Sequence, residues 1–226
     1  MSSKRSTSSE DKASVLDPRR FQPRFGEVNI RDRGRLPHWE AEGATYFVTF
    51  RLGDSLPQKV LASYQFERQD IVLTAQRQGR QLTPFELKRL DELFSERVET
   101  FLDTGAGACH LNKPEIAGRV AGALQFFEGE RYRQLAWCVM PNHVHTVFRP
   151  LPGWTLERIL HSWKSFTSKE ANKLLKSEGQ FWKPEYYDHL VRSEEDFYGC
   201  VEYVASNPEK AGLRDWKWVR VAKALV

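Results

Sequence analysis

Cysteine is scarce in this sequence, and the cysteines it has are far apart. Cys109, Cys138 and Cys200 are an odd number in 226 residues, and no C-x-x-C pair occurs. This spacing argues against a zinc-thiolate site and a dithiol redox centre, so the three thiols are expected to be reduced and structural. The sequence also lacks an H-E-x-x-H motif, which weighs against a zinc-dependent hydrolase.

Long apolar runs are missing as well. No stretch approaches the roughly 20 apolar residues that cross a bilayer, and the polar start MSSKRSTSSEDK lacks the apolar centre of a secretory signal. We therefore expect a protein without a membrane partner that stays in the cytoplasm, associated with the nucleoid if it binds DNA.

The composition indicates one folded domain with a basic appendage. Hydrophobic residues make up 40% of the chain and aromatic residues 12%, which is ample for a core and excludes wholesale disorder. The net charge of +4 gives only a mild attraction to polyanions. Six arginines, however, cluster early: Arg19, Arg20, Arg24, Arg31, Arg33 and Arg35. Residues 1–43 are predicted to form a flexible arm that lies on phosphates or is simply solvated, and residues 44–226 form the domain.

The hydrophobic pattern from residue 44 onward alternates between strands and helices. Strands are predicted at 45–52, 135–140, 143–149 and 187–191, and helices at 113–127, 155–176 and 193–206, with two more helices within 57–102. This order predicts an α+β protein with a ferredoxin-like antiparallel sheet, packed helices and a helical insertion after the first strand.

Two histidines stand two residues apart in the second strand of the predicted hairpin. Side chains at this spacing point to the same face of a strand, so His143 and His145 project together while Val144 points away. Two imidazoles placed in this way can bind one divalent cation. The alternative is a pair of histidines on an exposed strand face.

The last predicted helix carries a second group of polar residues. Phe197, Cys200, Val201 and Val204 form an apolar stripe at helical spacing, and Tyr203 and Asn207 lie one turn apart on one flank of it. A tyrosine beside a core stripe is often only an amphipathic border residue, and an asparagine before a proline is often only a helix stop. Pro208 is expected to end the helix.

Several segments together resemble the REP-associated tyrosine transposases, relatives of the single-tyrosine insertion-sequence transposases. They are TYFVTFRL, WCVMPNHVHTVF, HSWKSFTSKEANKLL, FWKPEYYDHLV and FYGCVEYVASNPEKAGL, and they span about residues 44–213. That family belongs to the H-U-H endonucleases, in which U is an apolar residue. His143, Val144 and His145 match this motif, Tyr203 stands at the position of the nucleophilic tyrosine, and Asn207 matches the polar residue that completes the metal site.

The resemblance implies a metal-dependent transposase that nicks and rejoins single-stranded or hairpin DNA through a 5′-phosphotyrosine intermediate. The implied ligand set of His143, His145 and Asn207 contains nitrogen and amide oxygen without thiolate, which favours magnesium or manganese. The rival interpretation is a non-catalytic DNA-binding regulator derived from a transposase.

Four further residues are candidates for contacts with the nucleic acid. Lys164, Lys183 and Arg192 are placed where phosphates could pass, and Trp182 could stack on an unpaired base. Solvated charges and a core tryptophan are equally good explanations. The protein is expected to act as a monomer or a homodimer.

Overall fold

The computed structural model describes residues 29–32, 37–40, 43–94 and 98–225. The strands are β1 (Asn29–Asp32), β2 (Pro37–Glu40), β3 (Tyr46–Arg51), β4 (Tyr132–Val139), β5 (His143–Pro150), β6 (Tyr187–Leu190) and β7 (Val219–Val221). The α-helices are α1 (Gln58–Arg77), α2 (Pro84–Phe94), α3 (Thr100–Asp103), α4 (Pro114–Phe126), α5 (Leu156–Leu175) and α6 (Glu194–Lys210). Short 3-10 turns lie at His110–Asn112 and Lys223–Leu225.

The main sheet has five antiparallel strands in the order β6-β3-β5-β4-β7. Along the chain its first four strands alternate with helices as β3, α4, β4, β5, α5 and β6. A central pair of β3 and β5, flanked by β6 and β4, is the ferredoxin-like arrangement, so the predicted fold class is confirmed. The edge strand β7 was not predicted, since it has only three residues.

The predicted helical insertion lies between β3 and α4 and contains α1, α2 and α3. Its second helix begins with a reciprocal capping box, as the Thr83-Pro84 pair indicates. The Glu86 amide donates to Thr83 Oγ1 (3.2 Å), and the Thr83 amide donates to the Glu86 carboxylate (2.8 Å).

The two faces of the sheet have different contents because side chains alternate along each strand. One face packs under α4 and α5, with Val48, Val144 and Phe148 in a dry apolar core. The opposite face packs under α6, and its apolar members include Phe47 and Val147. Both histidines of β5 belong to the face under α6, because they alternate with Val144.

Helix α6 begins as predicted but ends later. Ser193 is the N-cap, and its hydroxyl accepts from the Asp196 amide at 3.1 Å. The prediction that Pro208 ends the helix is wrong, because the helix continues to Lys210. A proline forfeits only its own amide bond, and the Ala211 amide still donates to the Asn207 carbonyl at 3.0 Å.

Within the predicted arm, β1 and β2 pair antiparallel in a two-stranded sheet that the composition did not indicate. The arginine side chains of the arm lie outside the described residues. Over the described ranges, none of the helices combines the length and the apolar character needed to cross a membrane.

Candidate active site

The two histidines of β5 meet beneath α6. Their Nε2 atoms are 2.8 Å apart, and both residues are completely buried. Two ligands about 2.1 Å from one ion and at right angles to each other would be roughly 3 Å apart. The pair is therefore spaced as two ligands of a single cation, and the alternative of an exposed strand face is excluded.

The outer nitrogens of both rings have fixed partners. Asn142 Nδ2 donates to the carbonyls of Leu102 (3.2 Å) and Ala106 (2.9 Å), which leaves its Oδ1 facing His143 Nδ1 at 2.7 Å. Because an amide oxygen only accepts, His143 carries its proton on Nδ1 and presents a bare Nε2. His145 Nδ1 lies 2.7 Å from Thr49 Oγ1, a hydroxyl that can either donate or accept.

These contacts allow both Nε2 lone pairs to point at the same place. In the metal-free pair, His145 Nε2 donates to His143 Nε2, and Thr49 donates to His145 Nδ1. When the His145 proton is instead on Nδ1, that N–H donates a hydrogen bond to Thr49 Oγ1. The lone pair on His145 Nε2 is then free as well. Such outer partners orient metal-binding histidines in general.

Burial keeps both rings neutral. It lowers the pKa of His143 to about 3 and that of His145 well below its usual value, with the neighbouring His143 adding to the second shift. Neutral imidazole is the form that binds a metal, so the pair needs no deprotonation at neutral pH.

Tyr203 lies directly over this pair. Its ring centroid is 5.1 Å from that of His145, and the two rings meet edge to face at 83°. The Phe47 ring stacks on that of His145 with 5.6 Å between the ring centroids, and it meets the Tyr203 ring edge to face with 5.7 Å between the centroids. These contacts fix the relative positions of the three rings. The strand and the helix predicted to carry the site are thus brought together.

The hydroxyl of Tyr203 is buried without a well-formed hydrogen bond. Burial raises its pKa far above the usual value, and the carboxylates of Glu99 and Asp103 add to the shift, with Glu99 near enough to act on the proton. Nearby positive charge would offset this shift.

Asn207 is the third predicted ligand. It lies one turn after Tyr203 on α6, only 1% exposed, and its Oδ1 is buried without a hydrogen-bond partner. A buried amide oxygen without a partner costs stability, which is unusual unless a ligand completes it. Two neutral imidazoles and this amide oxygen are groups that could hold a divalent cation.

The predicted nucleic-acid contacts are placed unevenly. Lys183 and Arg192 are half-buried on either side of β6. Lys164 is also half-buried, and its ammonium donates to the carbonyls of Lys183 and Pro184. Trp182 is only 3% exposed, packs edge-on against Phe50 and donates to Thr167 Oγ1 at 2.8 Å. Its position favours the core interpretation over base stacking.

Asn142 and Thr49 are site residues that sequence reasoning missed. Asn142 was seen only as part of a turn, and Thr49 only as a strand residue. A polar residue directly before an H-x-H motif is a signal that could have identified Asn142. Thr49 could be found only with the strand register, which pairs it with His145.

The chain is similar in sequence to known transposases. Residues 119–207 match the family model described as "Transposase IS200 like", a region that includes the histidine pair, Tyr203 and Asn207. An Escherichia coli "REP-associated tyrosine transposase" is 28% identical over 90 residues, which cover 36% of this chain and 49% of that protein. The predicted resemblance to the REP-associated tyrosine transposases is confirmed. A Haemophilus influenzae protein with the same family name is 26% identical over 103 residues, which cover 38% of this chain and 57% of that protein.

The chain thus spans about half the length of the REP-associated tyrosine transposases that it matches. Among solved structures, it is similar to one described as "Structure of the REP associates tyrosine transposase bound to a REP hairpin". That similarity has a TM-score of 0.44 and 16% sequence identity, and it covers 80% of this chain and 79% of the other.

Proposed function

We propose that this protein is a metal-dependent enzyme that cuts and rejoins single-stranded DNA through a covalent bond to Tyr203. The observation that carries the proposal is the position of the Tyr203 ring, 5.1 Å from a histidine whose Nε2 is 2.8 Å from that of its neighbour. A nucleophile beside a cation site is the arrangement that phosphoryl transfer requires.

The residues that would hold the cation are His143, His145 and Asn207, and the cation would be magnesium or manganese. When bound, it would supply positive charge that polarises a non-bridging oxygen of the scissile phosphate and lowers the pKa of Tyr203. Asn142 and Thr49 hold the imidazoles so that their lone pairs face that position. Phe47 and Val147 exclude water from the inner side of the site.

The reaction of Tyr203 conserves the phosphate ester. The Tyr203 oxygen loses its proton and forms a bond to phosphorus, while the bond from phosphorus to the 3′ oxygen breaks and that oxygen leaves as a free 3′-hydroxyl. The downstream strand remains on Tyr203 through its 5′ phosphate. Attack by another 3′-hydroxyl reverses the exchange and releases Tyr203, so joining needs no nucleotide triphosphate.

The proposed substrate is single-stranded or hairpin DNA from genomic repeats, bound in the cytoplasm by a monomer or a homodimer. The basic candidates Lys164, Lys183 and Arg192 lie around β6, next to the strand that pairs with β5. Phosphate contacts of this kind would position the strand without reading its sequence.

The test is a covalent trapping assay with hairpin oligonucleotides labelled at the 3′ end. The wild-type protein with manganese or magnesium should give a labelled adduct that survives SDS, and EDTA should prevent it. Tyr203→Phe removes one oxygen and should abolish the adduct while leaving folding and DNA affinity nearly unchanged. The double substitution of His143 and His145 by alanine should also abolish it.

Two matched controls test the choice of nucleophile. Tyr187 lies on the same face of the sheet, with its ring 6.3 Å from Phe47, and Tyr198 is exposed on α6. Tyr187→Phe and Tyr198→Phe should both keep the adduct. An adduct that survives in Tyr203→Phe but disappears in either control would show that the wrong tyrosine was assigned. DNA binding without any adduct from the wild type would instead favour the non-catalytic regulator.

A further inference from the structure

Arg51 is a buried arginine on the strand paired with that of the histidines, and no local sequence pattern singles it out. It is the last residue of β3, and its Cα pairs directly with that of His143 across the β3–β5 ladder. Side chains of directly paired residues lie on the same face with their Cβ atoms about 5 Å apart. Arg51 therefore lies on the face beneath α6, next to the proposed cation site.

The charge of Arg51 is poorly compensated by the protein. The residue is only 7% exposed, and within the described residues its guanidinium makes one hydrogen bond, from Nη1 to Ser55 Oγ at a long 3.4 Å. In the described part of the chain it has no carboxylate within ion-pair distance, and Glu185 and Tyr64 act on it only from farther away. A guanidinium has five donors, so most of them are available to an incoming group.

A second cation lies close to the first. Burial and, to a smaller extent, the positive charge of Arg51 lower the pKa of Lys164 to about 8, while Glu185 opposes both effects. Burial likewise lowers the pKa of Arg51 to about 10. Among the described residues, Glu185 is the carboxylate that acts on both cations. Two neighbouring cations favour an anion between them.

We propose that Arg51 binds a phosphate of the substrate strand, next to the phosphate held at the histidine pair. The proposal rests on the proposed function, because it takes a DNA backbone in the active site as the source of the anion. A planar guanidinium matches two phosphate oxygens at once. Arg51 thus positions the strand so that the scissile phosphate meets Tyr203.

The test measures binding without cleavage. Affinity for a hairpin oligonucleotide is determined in the Tyr203→Phe protein, with each phosphate near the cleavage position replaced in turn by an uncharged methylphosphonate. Arg51→Gln should weaken binding about 10-fold or more, as expected for loss of a charged hydrogen bond. At one methylphosphonate position Arg51→Gln should have no further effect, because that phosphate is the partner of Arg51.

Arg149 provides a matched control. It is a half-buried arginine on the same face at the other end of β5, where its Nε donates to Thr45 Oγ1 at 3.1 Å. Arg149→Gln should show no coupling to that methylphosphonate position. The proposal would be overturned if Arg51→Gln lost the same amount of affinity at every methylphosphonate position, or lost none. It would also be overturned if Arg149→Gln showed the same coupling.

A conservative variant covers the case in which Arg51→Gln does not fold. Arg51→Lys keeps the charge but not the two-oxygen geometry, so it should weaken binding and reduce the coupling at the same phosphate. Unchanged coupling in Arg51→Lys would also overturn the proposal. Failure of the proposed function would look different: the wild-type protein would bind DNA without forming an adduct.

Discussion

At the scale of single residues, the site contains polar atoms that the folded protein leaves without partners. The buried oxygens of Asn207, Ser206 and Tyr203 make no well-formed hydrogen bond. Each such atom costs about 1–3 kcal/mol of stability. Two of the three belong to residues that we assign to the reaction, as expected where an active site is shaped for a ligand rather than for the empty protein.

Asn207→Leu separates the stability of the metal-free protein from its ability to bind the cation. Replacing the unpaired amide by an apolar side chain of similar size should leave the metal-free protein as stable as the wild type, or more stable by about 1 kcal/mol. The wild type should gain about 2.7 kcal/mol from metal at 100 times its dissociation constant, and Asn207→Leu should lose most of that gain. Thermal unfolding with EDTA and with manganese measures both quantities.

Ser206→Ala is the control for this prediction, because it removes a neighbouring unpaired hydroxyl that we do not assign to the cation. It should keep the full metal-dependent gain. Asn207→Leu with an undiminished gain would exclude Asn207 as a ligand.

The sequence predicts the proposed reacting residues better than the residues that position them. His143 and His145 follow from the period of a strand, and Tyr203 and Asn207 from the period of a helix together with the family resemblance. Thr49, Asn142 and Arg51 act through contacts between distant parts of the chain. Those contacts depend on which strands pair and in what register, which a local pattern does not contain.

At the scale of elements, α6 joins Tyr203, the proposed nucleophile, to the sheet. Its first turn is held by Asp196, which accepts from the Arg192 amide (2.8 Å) and contacts His189 Nε2 (2.9 Å). Cys200 Sγ lies 3.7 Å from the same carboxylate, which completes a compact His-Asp-Cys group. The bonds of Asp196 are those of a helix cap, and they anchor α6 to β6.

Ser193→Ala tests the cap without touching the site. Loss of the bond from the Asp196 amide should lower the free energy of unfolding by about 1 kcal/mol, and Ser193→Thr should retain most of it. Adduct formation well below the melting temperature should be unchanged, because Phe197, Val201 and Val204 still bury the helix against the sheet. Urea unfolding and the trapping assay give the two readouts. A loss of activity without a loss of stability would contradict this view of α6.

Element boundaries were predictable where a local signal decides them. Ser193 caps the helix predicted to begin there, Thr83 caps the second helix of the insertion, and the turn of the predicted hairpin precedes His143. Pro208 misled because a proline breaks a helix only if tertiary contacts do not hold it, and here Pro208 is itself buried. Strand β7 was not predicted because three residues are too few to show an alternating pattern, although the strand pairs with β4 from Ala136 to Cys138.

At the scale of the whole molecule, the sheet separates a supporting core from the reacting face. The α4 and α5 side is filled with apolar side chains, whereas the α6 side holds the histidines, Tyr203 and Arg51. A rigid layer behind β5 would keep the imidazoles in place while the opposite face binds the proposed DNA strand. The ferredoxin-like order was predictable, since the sequence of strands and helices permits few such topologies.

We expect the basic arm to add long-range attraction to DNA. The cluster of six arginines between Arg19 and Arg35 carries most of the positive charge of the arm, so deletion of residues 1–40 should flatten the salt dependence of DNA affinity. Each lost phosphate contact should reduce the slope of log affinity against log salt by about 0.7 for a single strand. Affinity for the same hairpin, measured at several salt concentrations, gives the slope.

The deletion also removes the strands β1 and β2. The effect of losing the charge must therefore be distinguished from the effect of losing these strands. A full-length protein with glutamine at the six arginine positions keeps the chain length and loses only the charge. If the six arginines act through phosphates, this protein should show most of the reduction in slope seen with the deletion, which also removes Lys4, Arg5 and Lys12. A wild-type slope in the glutamine protein would assign any effect of the deletion to the β1–β2 hairpin, and a wild-type slope in both would show that the arm does not contact DNA.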